Sequence, residues 1–216
     1  MTQPKILDLF CGAGGAGKGY QLAGFDVTGV DIAPQPDYPG TFIQADALEY
    51  LKEHAHKYDA VHSSPPCQAS SALTKGTNQG REYLNLIPNT RELLATLTVP
   101  TIMENVQGSD LRKDMVLCGE MFGLSVIRHR YFELNGFPFT PPAHIKHRGR
   151  TRGWRHGTYY DGPYLAVYGD GGGKGTVQEW QDAMAMHWTS NRKSIAEAIP
   201  PAYTEYIGEQ IMAALI

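Results

Sequence analysis

The sequence predicts an α/β protein built on a doubly wound, mostly parallel sheet with a small appendage. Three observations carry this. The apolar run Lys5-Ile6-Leu7-Asp8-Leu9-Phe10 breaks into glycines and then into a helical segment, which is the strand, turn and helix that opens such folds. Further short apolar runs recur down the chain, alternate with polar or helical stretches, and end on a polar residue each time. Finally, 216 residues with 42% hydrophobic content fill one core and leave room for an appendage rather than a second full domain.

Taken in order, Gly12, Gly14 and Gly17 fit G-x-G-x-x-G, and the next strand, Phe25 to Val30, ends on Asp31, about twenty residues on, as dinucleotide binding requires, which taken by itself reads as an NAD site. Gly12 to Lys18 also nearly spells a P-loop, but Gly19 stands where a Ser or Thr must ligate magnesium, so that reading fails. The helix after the glycines closes on Gly24. A third strand, Thr41 to Gln44, runs into Asp46, which either caps the following helix, Leu48 to Lys57, or reaches a cofactor, and both roles can coexist. The glycines alone do not separate a nicotinamide cofactor from S-adenosylmethionine.

The strand Tyr58 to Val61 delivers His62-Ser63-Ser64-Pro65-Pro66-Cys67-Gln68. Two prolines fix φ and remove two backbone donors, so Cys67 sits on a stiffened turn at a strand end, where α/β proteins place their chemistry. A buried structural thiol is the alternative, and the polar, rigid neighbours weigh against it. The Gly-punctuated polar stretch Ala69 to Arg81 beside it predicts a closing lid. A helix striped by Leu86, Leu93, Leu94 and Leu97 follows, interrupted near its start by Pro88.

Val99 to Met103 is the next strand and presents Glu104-Asn105 at its carboxyl end, facing the crevice of Cys67. Met115 to Leu124 reads as a helix, and Ser125 to Leu134 as a strand or tight pair of strands with Arg128 and Arg130 on the same side. Composition then changes: Lys146, Arg148, Arg150, Arg152 and Arg155 lie among His144, His147, His156, Trp154, Tyr159 and Tyr160, a pattern suited to phosphates and stacked bases. Tyr164 to Tyr168 is a strand, Gly169 to Gly175 a loop, and Val177 to His187 a short helix. The last helix, Tyr203 to Leu215, carries Tyr206, Ile207, Ile211 and Leu215 on one face.

Net charge is −3, so any nucleic-acid contact must come from this local basic cluster. Cys11, Cys67 and Cys118 are odd in number and lack zinc-like spacing, and His144 and His147 have no thiol or carboxylate pair near them in sequence. No metal is therefore expected, nor a membrane segment, and the expected location is cytoplasmic.

Four stretches together resemble the cytosine-5 DNA methyltransferases, in the family's order and most like its small bacterial or phage forms: Asp8-Leu9-Phe10-Cys11-Gly12-Ala13-Gly14-Gly15, Pro65-Pro66-Cys67-Gln68, Glu104-Asn105-Val106 and Arg128-His129-Arg130. A weaker match runs from about residue 195 to the end. The resemblance implies a Rossmann-like, S-adenosylmethionine-dependent methyltransferase sheet. Residues 1–137 would form the catalytic and cofactor core, 138–190 a reduced target-recognition region, and 191–216 a segment packing back beside the first strand. It implies that Phe10, Gly12, Ala13 and Gly14 hold the methionine moiety and Asp31 the ribose, with Ile32 also at the cofactor. Asp46, Ala47 and Leu48 would lie at the adenine edge and Pro66 near the cofactor. Cys67, Glu104, Arg130 and Arg128 would serve catalysis on a cytosine flipped out of DNA. Two departures stand out: Val126 replaces the family's Gln before the arginines, and Ala196-Glu197 replaces its Gly-Asn pair.

That chemistry suits the residues. Cytosine C5 becomes nucleophilic only after a thiolate adds at C6, Cys67 is placed to do this, and its reference pKa of about 8.5 must be helped by the site. Glu104 would hydrogen-bond or protonate N3, and Arg130 would hold O2. Competing readings are methylation of RNA or a free nucleotide, a thymidylate-synthase-like thiol addition, a nicotinamide oxidoreductase and a non-catalytic DNA-binding relative. The first glycine motif is idle in the second of these, and Cys67, Glu104 and the arginines in the third.

Overall fold

In a computed structural model the described residues are 3–66, 85–155, 157–169 and 175–215; Cys67, the expected lid from Ala69 to Arg81, His156 and the side chain of Arg155 lie outside them. A seven-stranded sheet forms the body, ordered β3-β2-β1-β4-β5-β7-β6. Its strands are β1 (Lys5–Leu9), β2 (Asp26–Asp31), β3 (Thr41–Gln44), β4 (Ala60–Ser63), β5 (Thr101–Val106), β6 (Met115–Leu117) and β7 (Arg130–Asn135). The first five run parallel, while β7 pairs antiparallel with β5 and with β6. The chain winds outward from β1 to β3 and then returns to place β4 on the other side of β1. This leaves a crevice at the carboxyl ends of β1 and β4, the switch point at which open α/β sheets bind ligands.

Burial on both faces explains the continuous apolar strands: Ile6, Leu7 and Leu9 are fully buried, Ile6 in one core layer, Leu7 and Leu9 in the other. One layer is made by α1 (Gly15–Leu22) and α6 (Pro201–Leu215), the other by α2 (Ala47–His54) and α3 (Ile87–Leu94). The terminal helix packs on α1. Gly19 permits this, because a Cβ there would lie 2.1 Å from the Pro201 carbonyl oxygen and from Thr204 Oγ1, and Thr204 Oγ1 donates to the Ala16 carbonyl across the contact. The buried face of α6 is Tyr203, Thr204, Ile207, Gly208 and Ile211 with Pro201. Leu215, expected on that face, is exposed.

A third cluster holds the appendage. In α4 (Val177–Met184), Trp180, Ala183 and Met184 pack with Met186 and with Ile195 of α5 (Arg192–Glu197) against Ala13 and Val126 of the body. The capping box of Thr176 and Glu179 starts α4. Trp188 Nε1 donates to the Ala13 carbonyl at 2.8 Å, tying the appendage to the glycine turn. β8 (Gly153–Arg155) and β9 (Thr158–Tyr160) form a separate hairpin that carries exposed Trp154 and Tyr159.

Several local expectations are corrected. Met115 to Leu124 is not a helix but β6 followed by a 3₁₀ turn, Gly119–Phe122, because Met115 and Leu117 alternate into the core. Tyr164 to Tyr168 makes an isolated bridge at Tyr164, not a strand. Pro88 stands in the first turn of α3, where its missing N–H costs nothing, rather than interrupting it. Arg128 precedes β7, so strand alternation does not set it on the same side as Arg130.

Candidate active site

β1 ends in a strained turn. Phe10 takes a left-handed conformation (φ 56°), as do Gly12 (φ 48°) and Gly14 (φ 81°), and such strain in a non-glycine residue concentrates at functional sites. A Cβ on Gly12 would meet nothing within 4 Å, so its absence keeps the space beside the turn open. Asp31, at the end of β2, accepts from the Gly12 N–H (3.0 Å) and the Ala33 N–H (2.9 Å), which fixes its carboxylate at the rim.

These groups line a cavity of about 450 Å³ that takes in Asp8, Phe10, Gly12, Ala13, Asp31, Ile32, Pro66, Glu104, Arg130 and Glu197 among others. Of the expected cofactor residues, Gly14, Asp46, Ala47 and Leu48 do not line it. Gly14 packs on Tyr38 and Pro39, Ala47 is in the core, and Asp46 caps α2 by accepting from the Leu48 and Glu49 N–H groups. The capping role of Asp46 is thus realised in the fold.

The carboxylate of Asp8 is fully buried under the cavity. Tyr38 Oη donates to its Oδ2 at 3.0 Å, while Oδ1 has no hydrogen-bond partner among the described residues. Desolvation pushes this carboxyl up to about 8, so it is largely protonated at neutral pH in the free protein.

Beyond the cavity, β4 and β5 present the second half of the site. The Asn105 amide donates to the Pro65 carbonyl at 2.8 Å, so the proline turn that precedes Cys67 is pinned to the residue after Glu104. Cys67 itself lies outside the described residues. Glu104 is 5% exposed, and Arg130 Nε pairs with its Oε1 at 2.9 Å. Burial nevertheless raises the Glu104 carboxyl, outweighing Arg130, Ser64 and Arg128.

Sequence reasoning missed the groups behind Glu104. Tyr20 Oη lies 2.9 Å from His62 Nδ1, and His62 Nε2 lies 2.9 Å from Ser64 Oγ, which in turn bonds Glu104. Burial depresses His62 to about 3, so the ring is neutral. One directional assignment satisfies the chain: Tyr20 O–H to Nδ1, Nε2–H to Ser64, and Ser64 O–H to Glu104. His62 gives no sign of this in the sequence beyond its place one residue before two serines.

Arg128 and Arg130 diverge. Arg128, 8% exposed, donates to the Val167 and Ala196 carbonyls, and its own carbonyl accepts from Tyr203 Oη. It therefore clamps body, appendage and terminal segment together. Its charge also acts on the Glu104 carboxyl, holding it lower than burial alone would. Ala196, one of the two departures noted above, serves this clamp through its backbone, which any residue supplies.

A second cleft of about 700 Å³ opens between β7 and the appendage, lined by Gln107, His129, Arg130, Thr151, Tyr168 and Lys193 among others. The two spaces share Val106, Arg130, Lys193 and Glu197. In the basic segment, Arg148 pairs with Glu120 (2.6 Å) and Arg152 with Glu179 (2.7 Å), while Arg150 sits over the Tyr160 ring. One further premise is corrected: His144 and His147, without a thiol neighbour in sequence, have Cys118 beside them in space, its Sγ 3.3 Å from His147 Nε2.

No protein-family model matches the chain. A curated relative, the type II methyltransferase M.FnuDI of Fusobacterium nucleatum, is 31% identical over 38% of this chain, and the matched part spans 28% of that relative's length. Among solved structures, the Dnmt2 methyltransferase of S. pombe superposes with a TM-score of 0.66 at 12% identity, covering 99% of both chains. The methyltransferase EhMeth of Entamoeba histolytica does so with 0.65 at 12% identity, covering all of both. The fold is the Rossmann-like one of S-adenosylmethionine-dependent methyltransferases. No described helix is long and apolar enough to cross a membrane.

Proposed function

We propose that this chain transfers a methyl group from S-adenosylmethionine to C5 of a cytosine in DNA, through a covalent bond between Cys67 and C6. The observation that carries the reading is the shared wall: a cavity under the glycine turn meets a second cleft at Arg130, next to the buried Glu104. A methyl donor in one and a flipped base in the other would meet there. The relatives' names as methyltransferases support the same class of reaction.

The residues fit the cofactor. Gly12 leaves open space beside the turn, and Asp31 sets a carboxylate at the cavity rim, suited to ribose hydroxyls. S-adenosylmethionine supplies an electrophilic methyl group.

The chain's own residues do the rest. Cys67, two residues on in sequence from the Pro65 carbonyl that Asn105 holds, adds to C6 and makes C5 nucleophilic. Glu104, raised by burial, carries a proton to N3 and stabilises the charge that builds in the ring. The Tyr20–His62–Ser64 chain holds the Glu104 carboxyl in orientation. Arg130, already beside Glu104, reaches O2. After transfer, a base such as water takes the C5 proton, the C6–sulfur bond breaks with its electron pair leaving as the Cys67 thiolate, and N3 returns its proton to Glu104, which restores the ring. The target base leaves the stack to reach the cleft, and the exposed Trp154 and Tyr159 of the β8–β9 hairpin offer rings on which bases stack.

Between Arg130 and Ile195 few side chains remain to read bases, and each good bidentate contact discriminates by about 1–3 kcal/mol. A short or degenerate target follows. The test is incubation with methyl-labelled S-adenosylmethionine and DNA, RNA or dCMP, followed by bisulfite sequencing of labelled DNA. Label in DNA at C5, spread over dinucleotide-level sites, is expected. Label only in RNA or dCMP, or none in any substrate, would overturn the reading.

A further inference from the structure

Four side chains converge at the seam between the body and the basic segment, and the site proposed above uses none of their ring nitrogens or sulfur. Cys118 follows β6 and is fully buried; His129 lies just before β7; His144 and His147 come from the stretch after β7. One ligand atom from each, the Cys118 sulfur and a nitrogen of every ring, lies within 4.8 Å of all the others. Cys118 Sγ is 3.3 Å from His147 Nε2, and His129 Nε2 is 2.9 Å from His144 Nε2. A tetrahedral zinc with Zn–N of about 2.0–2.1 Å and Zn–S of about 2.3 Å has ligand-to-ligand edges of about 3.3–3.6 Å. The four atoms therefore already span a volume close to that of one such ion.

The donor set selects the metal. Three imidazoles and one thiol, with no carboxylate in the group, suit zinc and disfavour magnesium or calcium. Four protein ligands close the coordination sphere, which marks a structural rather than a catalytic site. The location gives such an ion work. Residues 138–150 have no helix or strand. Short irregular segments that bury little core are commonly fastened by a metal.

We propose that Cys118, His129, His144 and His147 bind one zinc ion that fastens the start of the basic segment to the sheet at the Arg128-His129-Arg130 turn. The ion would hold His129, which also lines the second cleft, and so steady Arg130, the next residue. Binding releases the thiol proton of Cys118 to solvent and leaves the imidazoles neutral.

The test uses the full chain expressed in zinc-supplemented medium, with metal content measured by mass spectrometry, followed by chelation and titration with Co²⁺. About one zinc per chain is expected, together with the visible absorption of tetrahedral Co²⁺ and a thiolate-to-cobalt charge-transfer band. Cys118→Ser should abolish that band. His144→Ala changes an exposed residue and should leave the fold intact while weakening binding at least tenfold, since even outer-shell changes cost about 10–100-fold. His56→Ala, remote in sequence and outside the cluster, should keep the full metal content. A wild-type chain that holds no zinc and gives no cobalt spectrum would overturn the proposal. So would metal retained undiminished in both Cys118→Ser and His144→Ala. Metal content is read without any methyl transfer, so its outcome is separable from that of the proposed function.

Discussion

Asp8→Asn should change how the stability of the ligand-free protein depends on pH, and the size of the change follows from burial. The folded carboxyl titrates at about 8 against an ordinary value of 3.8. Between these values the folded state holds a proton that the unfolded chain has released, so stability falls as pH rises, by about 1.4 kcal/mol per unit. From pH 5 to pH 7.5 the Asp8 contribution is thus on the order of 3 kcal/mol. His62 works in the opposite sense: its folded value is about 3 against 6.5, so the unfolded chain binds the extra proton and stability falls as pH drops below 6.5. The two slopes offset between about pH 4 and 6.5, and above 6.5 His62 no longer compensates Asp8. Asparagine retains an acceptor for Tyr38 and does not titrate. Urea unfolding of both proteins at pH 5, 6.5 and 7.5 measures the difference, wild type minus variant. It should fall by about 3 kcal/mol over the range. A difference that stayed constant to within ~0.5 kcal/mol would show that Asp8 is ionised in the fold and refute the desolvation argument.

Cys67→Ser should abolish methyl transfer while calorimetric binding of S-adenosylmethionine stays within about twofold, whereas Asp31→Ala should weaken binding about tenfold or more, the cost of one charge-assisted hydrogen bond. Arg128→Ala, which strips the donors from two carbonyls at the seam, should cost about 2–4 kcal/mol in urea unfolding, while Arg130→Ala should lower the turnover number with less effect on stability. Gly19→Ala should cost about 2 kcal/mol or more, because its methyl would overlap backbone and hydroxyl oxygens of α6, and a neutral result would mean the helices are not in this close contact. On DNA, Arg150→Ala should weaken binding more than Arg148→Ala or Arg152→Ala, whose charges are already paired with Glu120 and Glu179; binding measured at two salt concentrations checks the order.

Local chemistry was enough, in the sequence alone, to determine the sheet and the crevice. Apolar strands followed by Gly12, Asp31 and Glu104 announce themselves because backbone conformation and strand ends are set by residues a few positions apart. The same locality explains the errors. Met115 to Leu124 has helical spacing, yet pairing with β7, a partner only the fold supplies, makes it a strand and a turn. Arg128 and Arg130 read as equals two residues apart, but the strand begins at the second, and Val167, Ala196 and Tyr203, far along the chain, bond the first. The Tyr20–His62–Ser64 relay joins helix to strand through a buried ring whose neutrality depends on desolvation, a property of the packed interior. The cluster of Cys118 with three histidines is the clearest case: spacing along the chain offers a thiol no reason to meet those rings, and only the antiparallel return of β7 beside β6 brings them together.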